Sequence, residues 1–189
     1  VAAGLDLQLD CPDLALSRHM IFTELSDAEF VKQAELHVDA LNHALRDVPP
    51  EKVRVHICWG NYEGPHVCDI PMDRVFGTLM RTRSHYLLFE TSNPRHGHEW
   101  TTFRDRRKEI PDDKILVPGL VDTTTNFVEH PQLIAQRLAK FADIVGKDRV
   151  LAGSDCGFGT FAGFGAVDPA IAYAKLAALA EGAALAAAA

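Results

Sequence analysis

Short apolar stretches that favour β-strands alternate along this chain with longer segments of helical period, and this alternation constrains the fold more than any other feature. The strand candidates are apolar or rich in β-branched residues and end in polar or glycine-containing sequence. They cover residues 5–10, 53–59, 86–90, 115–121 and 150–155. An order of strand, helix, strand, helix is typical of βαβ units around a parallel sheet. We therefore expect an α/β protein built on a parallel sheet.

Helices are predicted over residues 26–46, 69–83 and 129–145, and a last helix begins after residue 168. Ser26, with Glu29 three residues later, matches a capping box at the start of the first helix. Gly146 is a typical stop for the third helix. Asp168 followed by Pro169 combines a capping side chain with proline in the first turn.

Five strands in 189 residues amount to about five-eighths of a (β/α)8 TIM barrel, whose usual length is roughly 250 residues. An open, doubly wound sheet of five parallel strands is the alternative architecture. No G-x-G-x-x-G motif follows the first strand to support nucleotide binding in such a sheet. We expect residues 1–189 to belong to one domain.

Composition argues against several classes of function. The chain has 19 Lys and Arg against 26 Asp and Glu, a formal net charge of −7, so a broad surface for nucleic acid or anionic lipid is not expected. We also expect no apolar run that approaches the roughly 18 to 20 residues of a membrane span, and no signal peptide at the start. The prediction is a cytoplasmic protein, whose four cysteines are better candidates for metal or catalytic thiols than for disulfides.

Four potential metal ligands lie at or near the ends of predicted strands. His56 and Cys58 are two residues apart on one strand and therefore project to the same face. Taken alone, this pair also fits a packed cysteine beside a hydrogen-bonded histidine. The next strand ends in Glu90, and Cys156 follows the last strand. In a parallel barrel all these positions lie at the carboxyl face, where barrel enzymes have their active sites.

One imidazole, one carboxylate and two thiolates can form a tetrahedral zinc site. Two thiolates and one carboxylate around Zn²⁺ give the ion and its ligands together a net charge of about −1. An ion with such ligands is a poor generator of hydroxide. It can nevertheless hold an incoming thiol as a reactive thiolate. These donors predict sulfur alkylation, with Glu90 as the most displaceable ligand, rather than hydrolysis. A structural zinc site with four protein ligands is the non-catalytic alternative.

Five motifs lie at or near the predicted strand ends. In chain order, they are Leu7-Gln8-Leu9-Asp10-x-Pro12, His56-Ile57-Cys58 with Trp59-Gly60-Asn61-Tyr62-Glu63-Gly64-Pro65-His66, Phe89-Glu90-Thr91-Ser92-Asn93-Pro94-Arg95-His96, Thr124-Thr125-Asn126-Phe127-Val128-Glu129-His130-Pro131 and Asp155-Cys156-Gly157. Together these motifs resemble the carboxyl-terminal zinc barrel of cobalamin-independent methionine synthase, and most closely its shorter bacterial relatives, which are akin to the epoxyalkane–coenzyme M transferases. The resemblance covers nearly the whole chain. It implies that the chain supplies about the last five βα units of a TIM barrel, and that His56, Cys58, Glu90 and Cys156 bind zinc.

The resemblance implies zinc-dependent transfer of a methyl or other alkyl group to a small-molecule thiol, as in methionine biosynthesis. An epoxide–thiol transferase with the same zinc site is the alternative. Two departures weigh against homocysteine and folate: Cys11 stands where methionine synthases have Glu, and their catalytic histidine falls near Thr124. Because five strands cannot close a barrel, we expect either a longer polypeptide or a completing chain, which a homo-oligomer would supply.

Two further residues are predicted to take part in catalysis. His66 lies in the loop beyond the zinc strand, where it could transfer a proton, although loop histidines are often exposed and inactive. Asp155 is predicted to hold its neighbour Cys156 in place. His96 and His98 could form another metal pair, but their loop setting favours surface histidines.

Four residues are predicted to contact substrate. Asp10 could bind a substrate amine or, alternatively, brace the end of its strand. Trp59 and Asn61 could shape the pocket, with packing as an equal explanation for the tryptophan. Asn126 could donate a hydrogen bond to substrate, with entry into the next helix as the alternative.

Overall fold

A computed structural model describes residues 1–60, 62–159, 163 and 167–189. The described residues contain one parallel sheet of five strands, β1 (Leu7–Cys11), β2 (Val53–Ile57), β3 (Tyr86–Phe89), β4 (Ile115–Val121) and β5 (Gly153–Ser154). The strands lie side by side in chain order. This order has no switch point of the kind that defines a doubly wound sheet, and it matches part of a TIM-barrel wall. The predicted parallel α/β architecture is confirmed.

Six α-helices connect or follow these strands in the described part of the chain. They are α1 (Leu16–Met20), α2 (Asp27–Ala44), α3 (Met72–Met80), α4 (Trp100–Asp105), α5 (Pro131–Val145) and α6 (Pro169–Ala188). The capping box of Ser26 and Glu29 is confirmed, as is the cap of α6, where Asp168 accepts a hydrogen bond from the N–H of Ala170 at 2.8 Å. The helices α1 and α4 were not predicted, because five or six residues are too few to show a helical period.

Two predicted boundaries are wrong for identifiable reasons. The helix expected from residue 69 begins at Met72, because Pro71 disfavours helical geometry in the residue before it. The strand expected over residues 150–155 is reduced to Gly153–Ser154. Its pairing with β4 is irregular between Gly119 and Val121, where a Cβ on Gly119 would lie 2.1 Å from Asp155 Oδ1. The side chain of Asp155 therefore occupies space beside β4 that a regular strand would not leave open.

An aromatic cluster anchors the centre of the sheet to the surrounding helices. The ring of Phe89, at the end of β3, lies 4.4 Å from Phe103 and 5.6 Å from Phe141, measured between centroids. Phe76 of α3 lies against Phe103 at 5.1 Å. All four rings are buried, and their packing fixes the position of the residue that follows Phe89.

The carboxyl-terminal helix α6 contradicts the expectation that no apolar segment approaches the length of a membrane span. It is the one helix in the described residues that is long and apolar enough to cross a membrane, by length and composition alone. It packs against α5, where a Cβ on Gly182 would lie 2.6 Å from the Cβ of Ile134. Lys175 of α6 is fully buried, and its Nζ lies 3.0 Å from Glu129 Oε2. The close helix contact attaches α6 to α5, and the ion pair attaches it to the segment between β4 and α5.

A buried lysine at the amino end of the sheet gives a test of the fold. Lys114 precedes β4, and its Nζ donates to the carbonyl oxygens of Thr82, at 2.5 Å, and Ser84. Burial lowers the pKa of Lys114 to about 8. Because the folded protein holds this proton less tightly than the unfolded chain, charging the amine costs stability below pH 8, and the cost disappears as the pH rises towards the ordinary lysine value.

We expect the free energy of unfolding of the wild-type protein to increase by about 1 to 2 kcal/mol between pH 7 and pH 9.5, relative to Lys114→Met. Urea unfolding of both proteins at the two pH values measures this difference. Parallel pH profiles for the two proteins would contradict the prediction.

Candidate metal centre and adjoining cavity

The four predicted ligands meet at the carboxyl end of the sheet. The donor atoms of His56, Cys58 and Cys156 lie within 4.8 Å of one another, and all three residues are buried. The two Sγ atoms are 3.7 Å apart, and Cys156 Sγ lies 3.6 Å from His56 Nε2. Glu90 completes the group, with Oε1 3.4 Å from Cys156 Sγ. Residues far apart in the sequence thus form one compact cluster.

The ends of three parallel strands place these side chains. His56 lies near the end of β2, and Cys58 follows it on the same side. Glu90 comes directly after β3, and Cys156 follows β5 by two residues. Because parallel strands end at the same edge of a sheet, donors attached to these ends converge.

The spacing of the donors fits a bound zinc ion. Two sulfurs at roughly 2.3 Å from zinc, with a tetrahedral angle between the two bonds, are about 3.8 Å apart. The observed separation of the sulfurs of Cys58 and Cys156 is 3.7 Å. Two thiols, an imidazole and a carboxyl group are also ligand types that zinc accepts. The residues present therefore fit the group that the resemblance implies.

The thiols of the metal-free cluster differ in acidity. The hydrogen bond from Cys156 lowers the pKa of Cys58 to about 7, against the opposing effect of burial. Donating that hydrogen bond, together with burial, raises the pKa of Cys156 well above its usual range. Burial and the nearby charges of Asp155 and Cys58 raise the pKa of Glu90 to about 8. The lowered pKa of Cys58 favours the deprotonated form that a metal ligand requires.

Asp10 orients the histidine of the cluster. Its Oδ1 lies 2.7 Å from His56 Nδ1, and the two residues are register partners on β1 and β2. Nε2 consequently faces the sulfurs and lies 2.9 Å from the carbonyl oxygen of Asp155. Burial alone would lower the pKa of His56, but the hydrogen bond to Asp10 raises it. A carboxylate behind a ligating histidine fixes the ring and makes it a better donor.

Asp155 joins the loop that follows β3 to the loop that follows β5. Its carboxylate accepts hydrogen bonds from the backbone N–H groups of Thr91, at 3.0 Å, Ser92, at 2.8 Å, and Asn93, at 2.7 Å. The side-chain amide of Asn93 also donates to Glu90 Oε2 at 2.9 Å. Burial raises the pKa of Asp155 to about 6, while the backbone donors act in the opposite direction. These contacts support the predicted role of holding the neighbouring ligand in place.

A cavity of about 220 Å³ adjoins the cluster. Its described lining residues are Gly60, Tyr62, Glu63, Gly64, His66, Glu90, Asn93, Pro94, Arg95, His96, Asp122, Thr124, Thr125 and Asp155. Among the four candidate ligands, and within the described residues, Glu90 is the one that lines this cavity. Glu90 therefore lies between the cavity and the sulfurs.

The predicted pocket residues have different positions. His66 lines the cavity, and its role in catalysis stays a prediction. The ring of Trp59 is fully buried and donates from Nε1 to the carbonyl oxygen of Ile70 at 2.7 Å, so it packs into the core instead of lining the described cavity wall. Its backbone N–H donates to Glu90 Oε1 at 2.8 Å. Asn126 is exposed and outside the described lining, and Asn61 lies outside the described residues.

His96 is a second histidine of this cavity wall, and the sequence did not indicate its position. His96 was expected at the surface, but its side chain is only 5% exposed. Its Nδ1 lies 2.8 Å from Oε2 of Glu99, and Glu99 Oε1 accepts a hydrogen bond from the N–H of Met72 at 2.8 Å. The signal available in the sequence was the spacing of three between His96 and Glu99, which is the spacing of one helical turn.

Comparison with known proteins establishes the fold. No protein-family model and no curated protein matches the chain. It is similar to the structure of a B12-independent methionine synthase from Shewanella sp. W3-18-1 in complex with selenomethionine, with a TM-score of 0.62 and 22% sequence identity over 97% of this chain and 49% of that one. The chain thus spans about half the length of this neighbour. The likeness agrees with a parallel α/β sheet that forms part of a TIM-barrel-like fold.

Proposed function

We propose that the protein is a zinc-dependent enzyme that transfers a methyl or other alkyl group from a donor to the sulfur of a small-molecule thiol. The observation that carries the proposal is the meeting of two thiols, an imidazole and a carboxyl group at buried strand ends, with 3.7 Å between the sulfurs. When bound, zinc would keep the substrate sulfur in its thiolate form at neutral pH. The neighbouring fold is that of a methionine synthase, which supports methyl transfer within methionine biosynthesis as the activity.

The residues of the candidate metal centre have different roles in the proposed reaction. His56, Cys58 and Cys156 would hold the zinc, with the imidazole oriented by Asp10. Glu90 is the ligand best placed to move, because it faces the cavity and its carboxyl group has alternative partners in Trp59 N–H and Asn93 Nδ2. The substrate sulfur would approach from that cavity. The substrate sulfur would attack the methyl or other alkyl carbon of the donor. A carbon–sulfur bond would form as the bond between that carbon and the rest of the donor breaks.

A thiol titration of the cobalt-substituted protein tests the proposal. Cobalt reports sulfur ligation by its absorption spectrum, so displacement of Glu90 by a substrate thiol changes the sulfur-to-metal bands. Product analysis by mass spectrometry, with a panel of thiols, methyl donors and epoxides, then identifies the alkyl group transferred. A spectrum that excess thiol leaves unchanged, together with unfolding on metal removal, would instead indicate a structural metal site.

Removal of the carboxylate behind His56 is expected to weaken zinc binding. We predict that Asp10→Ala lowers zinc affinity by about 10- to 100-fold, because the ring loses the partner that fixes Nε2 towards the sulfurs. Competition with a chromophoric chelator measures the affinity. Asp6→Ala is the matched control, since Asp6 is an exposed acid of the same segment that pairs with Lys52. Equal affinities for the two variants would contradict an orienting role for Asp10.

A further inference from the structure

The side chain of Lys175 reaches from α6 to the segment between β4 and α5, residues 122–130, which we call the β4–α5 loop. Lys175 is fully buried. Its Nζ donates to the carbonyl oxygen of Phe127 at 2.5 Å, and it lies 3.0 Å and 3.2 Å from the two carboxylate oxygens of Glu129. An ammonium group has three N–H donors, so these three acceptors can satisfy it completely. The metal-site proposal gives this lysine no task.

Glu129 continues these contacts to the wall of the cavity. Its Oε1 also accepts a hydrogen bond from the N–H of Asp122 at 2.8 Å. Asp122 follows β4 directly, and its Oδ1 accepts from both the N–H and the hydroxyl of Thr124, each at 2.9 Å. Asp122, Thr124 and Thr125 line the same cavity as Glu90. A continuous series of polar contacts therefore joins α6 to the cavity wall.

The β4–α5 loop has little apolar packing of its own. None of residues 124–130 is buried, and Phe127 is 83% exposed. Burial of apolar surface is the main force that fixes a segment in a folded protein, so this loop depends on its polar contacts. Helix α6 gives those contacts a fixed support, since it packs against α5 at Gly182.

The ion pair is better suited to positioning the loop than to stabilising the protein. The side chains of Lys175 and Glu129 are 0% and 10% exposed. Removing two charges from water costs free energy that their attraction does little more than offset, and an apolar pair of similar volume is often as stable. A hydrogen-bonded ion pair is directional, however, because it requires its donor and acceptor atoms at defined positions.

We infer that Lys175 is a positioning residue of the cavity. By holding Glu129 and the carbonyl oxygen of Phe127, it keeps the N–H of Asp122 bound and fixes the wall that Asp122 and Thr124 form. A thiol that approaches the metal centre through this cavity would therefore bind against a wall whose position depends on α6. This consequence for the thiol rests on the proposed function, whereas the position of the loop does not.

Amide hydrogen exchange, measured by NMR with and without zinc, tests the position of the loop. Lys175→Met keeps a side chain of similar length and removes the charge and the three donors. We expect the amide of Asp122 to exchange about 10- to 100-fold faster in this variant. This factor should exceed the one for the amides of β3, which report unfolding of the sheet. Lys32→Met, at an exposed lysine of α2, is the matched control and should leave both rates unchanged.

A second variant covers the case in which Lys175→Met does not fold, since that change leaves the carboxylate of Glu129 without its counter-charge. Lys175→Met combined with Glu129→Gln removes both charges and keeps an acceptor for the N–H of Asp122. Thermal unfolding checks that each variant folds. We expect faster exchange at Asp122 in the double variant too, because the amide that replaces the carboxylate has lost its contact with α6.

Thiol binding by the cobalt-substituted protein tests the consequence for the site. The probe is 3-mercapto-1-propanol, followed by the sulfur-to-cobalt absorption, and competition with a chromophoric chelator measures metal affinity separately. We expect both variants to bind this thiol about tenfold more weakly and to retain the metal affinity of the wild type within about twofold. A lysine that merely stabilised the fold would lower the two affinities together or leave both unchanged.

Two results would overturn the inference: wild-type exchange at Asp122 in a folded variant, or unchanged thiol affinity in a variant whose loop exchanges faster. The second result would show that the loop moves without affecting the site. A wild-type cobalt protein that binds no thiol would refute the proposed function, and with it the consequence for the substrate. The exchange rates would still decide whether Lys175 positions the loop, so the two failures are distinguishable.

Discussion

Replacement of Cys156 by serine is expected to weaken zinc binding by at least about 100-fold and to reduce thiol alkylation to background. Cys156 is the centre of the donor cluster, since its Sγ lies within 3.7 Å of donor atoms of Cys58, His56 and Glu90. A serine hydroxyl does not ionise at neutral pH, so the variant loses both a ligand and a negative charge at the site.

The control for this prediction is Cys68→Ser. Cys68 is a half-buried thiol outside the donor cluster, and its replacement changes the same atom without touching the site. Zinc per protein after dialysis, measured by elemental mass spectrometry, and alkylated thiol, measured by product mass spectrometry, are the two readouts. Full zinc occupancy and unaltered turnover in Cys156→Ser would contradict both the metal centre and the proposed function.

Replacement of Asp155 by alanine is expected to lower the free energy of unfolding by about 3 to 5 kcal/mol. The carboxylate is buried and satisfies three consecutive backbone N–H groups, from Thr91 to Asn93. Alanine leaves these donors without a partner, and each buried unsatisfied donor costs about 1 to 3 kcal/mol. Because Asn93 also holds Glu90, the same change is expected to disturb the carboxylate of the metal site.

Urea unfolding of the metal-free proteins measures this loss without a contribution from metal binding. Asp143→Ala, which removes an exposed acid of α5, provides the comparison and is expected to change stability by less than about 0.5 kcal/mol. Similar stabilities of the two variants would show that the N–H groups find other partners, and that Asp155 does not hold the loops together.

Much of the architecture was predictable because the strands and long helices have clear periods. The capping box at Ser26 and the proline start of α6 are local signals, and both are confirmed. The last strand was not predictable in detail. Its apolar sequence gives no sign that the side chain of Asp155 occupies the space beside Gly119, which interrupts the pairing with β4. That contact depends on two segments far apart in the chain.

The candidate ligands could be chosen from sequence because strand ends of a parallel sheet converge whatever the exact register. The partners of those ligands depend on the register and on loop geometry. Asp10 meets His56 because β1 and β2 align these two residues. His96 is buried because the side-chain oxygen of Asn93 accepts hydrogen bonds from Arg95 N–H and His96 N–H, each at 3.1 Å, which turns the loop inward. Neither arrangement leaves a periodic signal.

The close approach at Gly119 sets a rule for how this sequence can vary. A Cβ at this position would lie 2.6 Å from the Cα of Asp155 and 2.7 Å from its backbone nitrogen, and a backbone atom cannot move aside as a flexible side chain can. Any residue at position 155 has these two backbone atoms, so loss of the acid would not relieve the contact. In homologous proteins that keep this approach of the two segments, we expect glycine at this position whichever residue precedes the last cysteine.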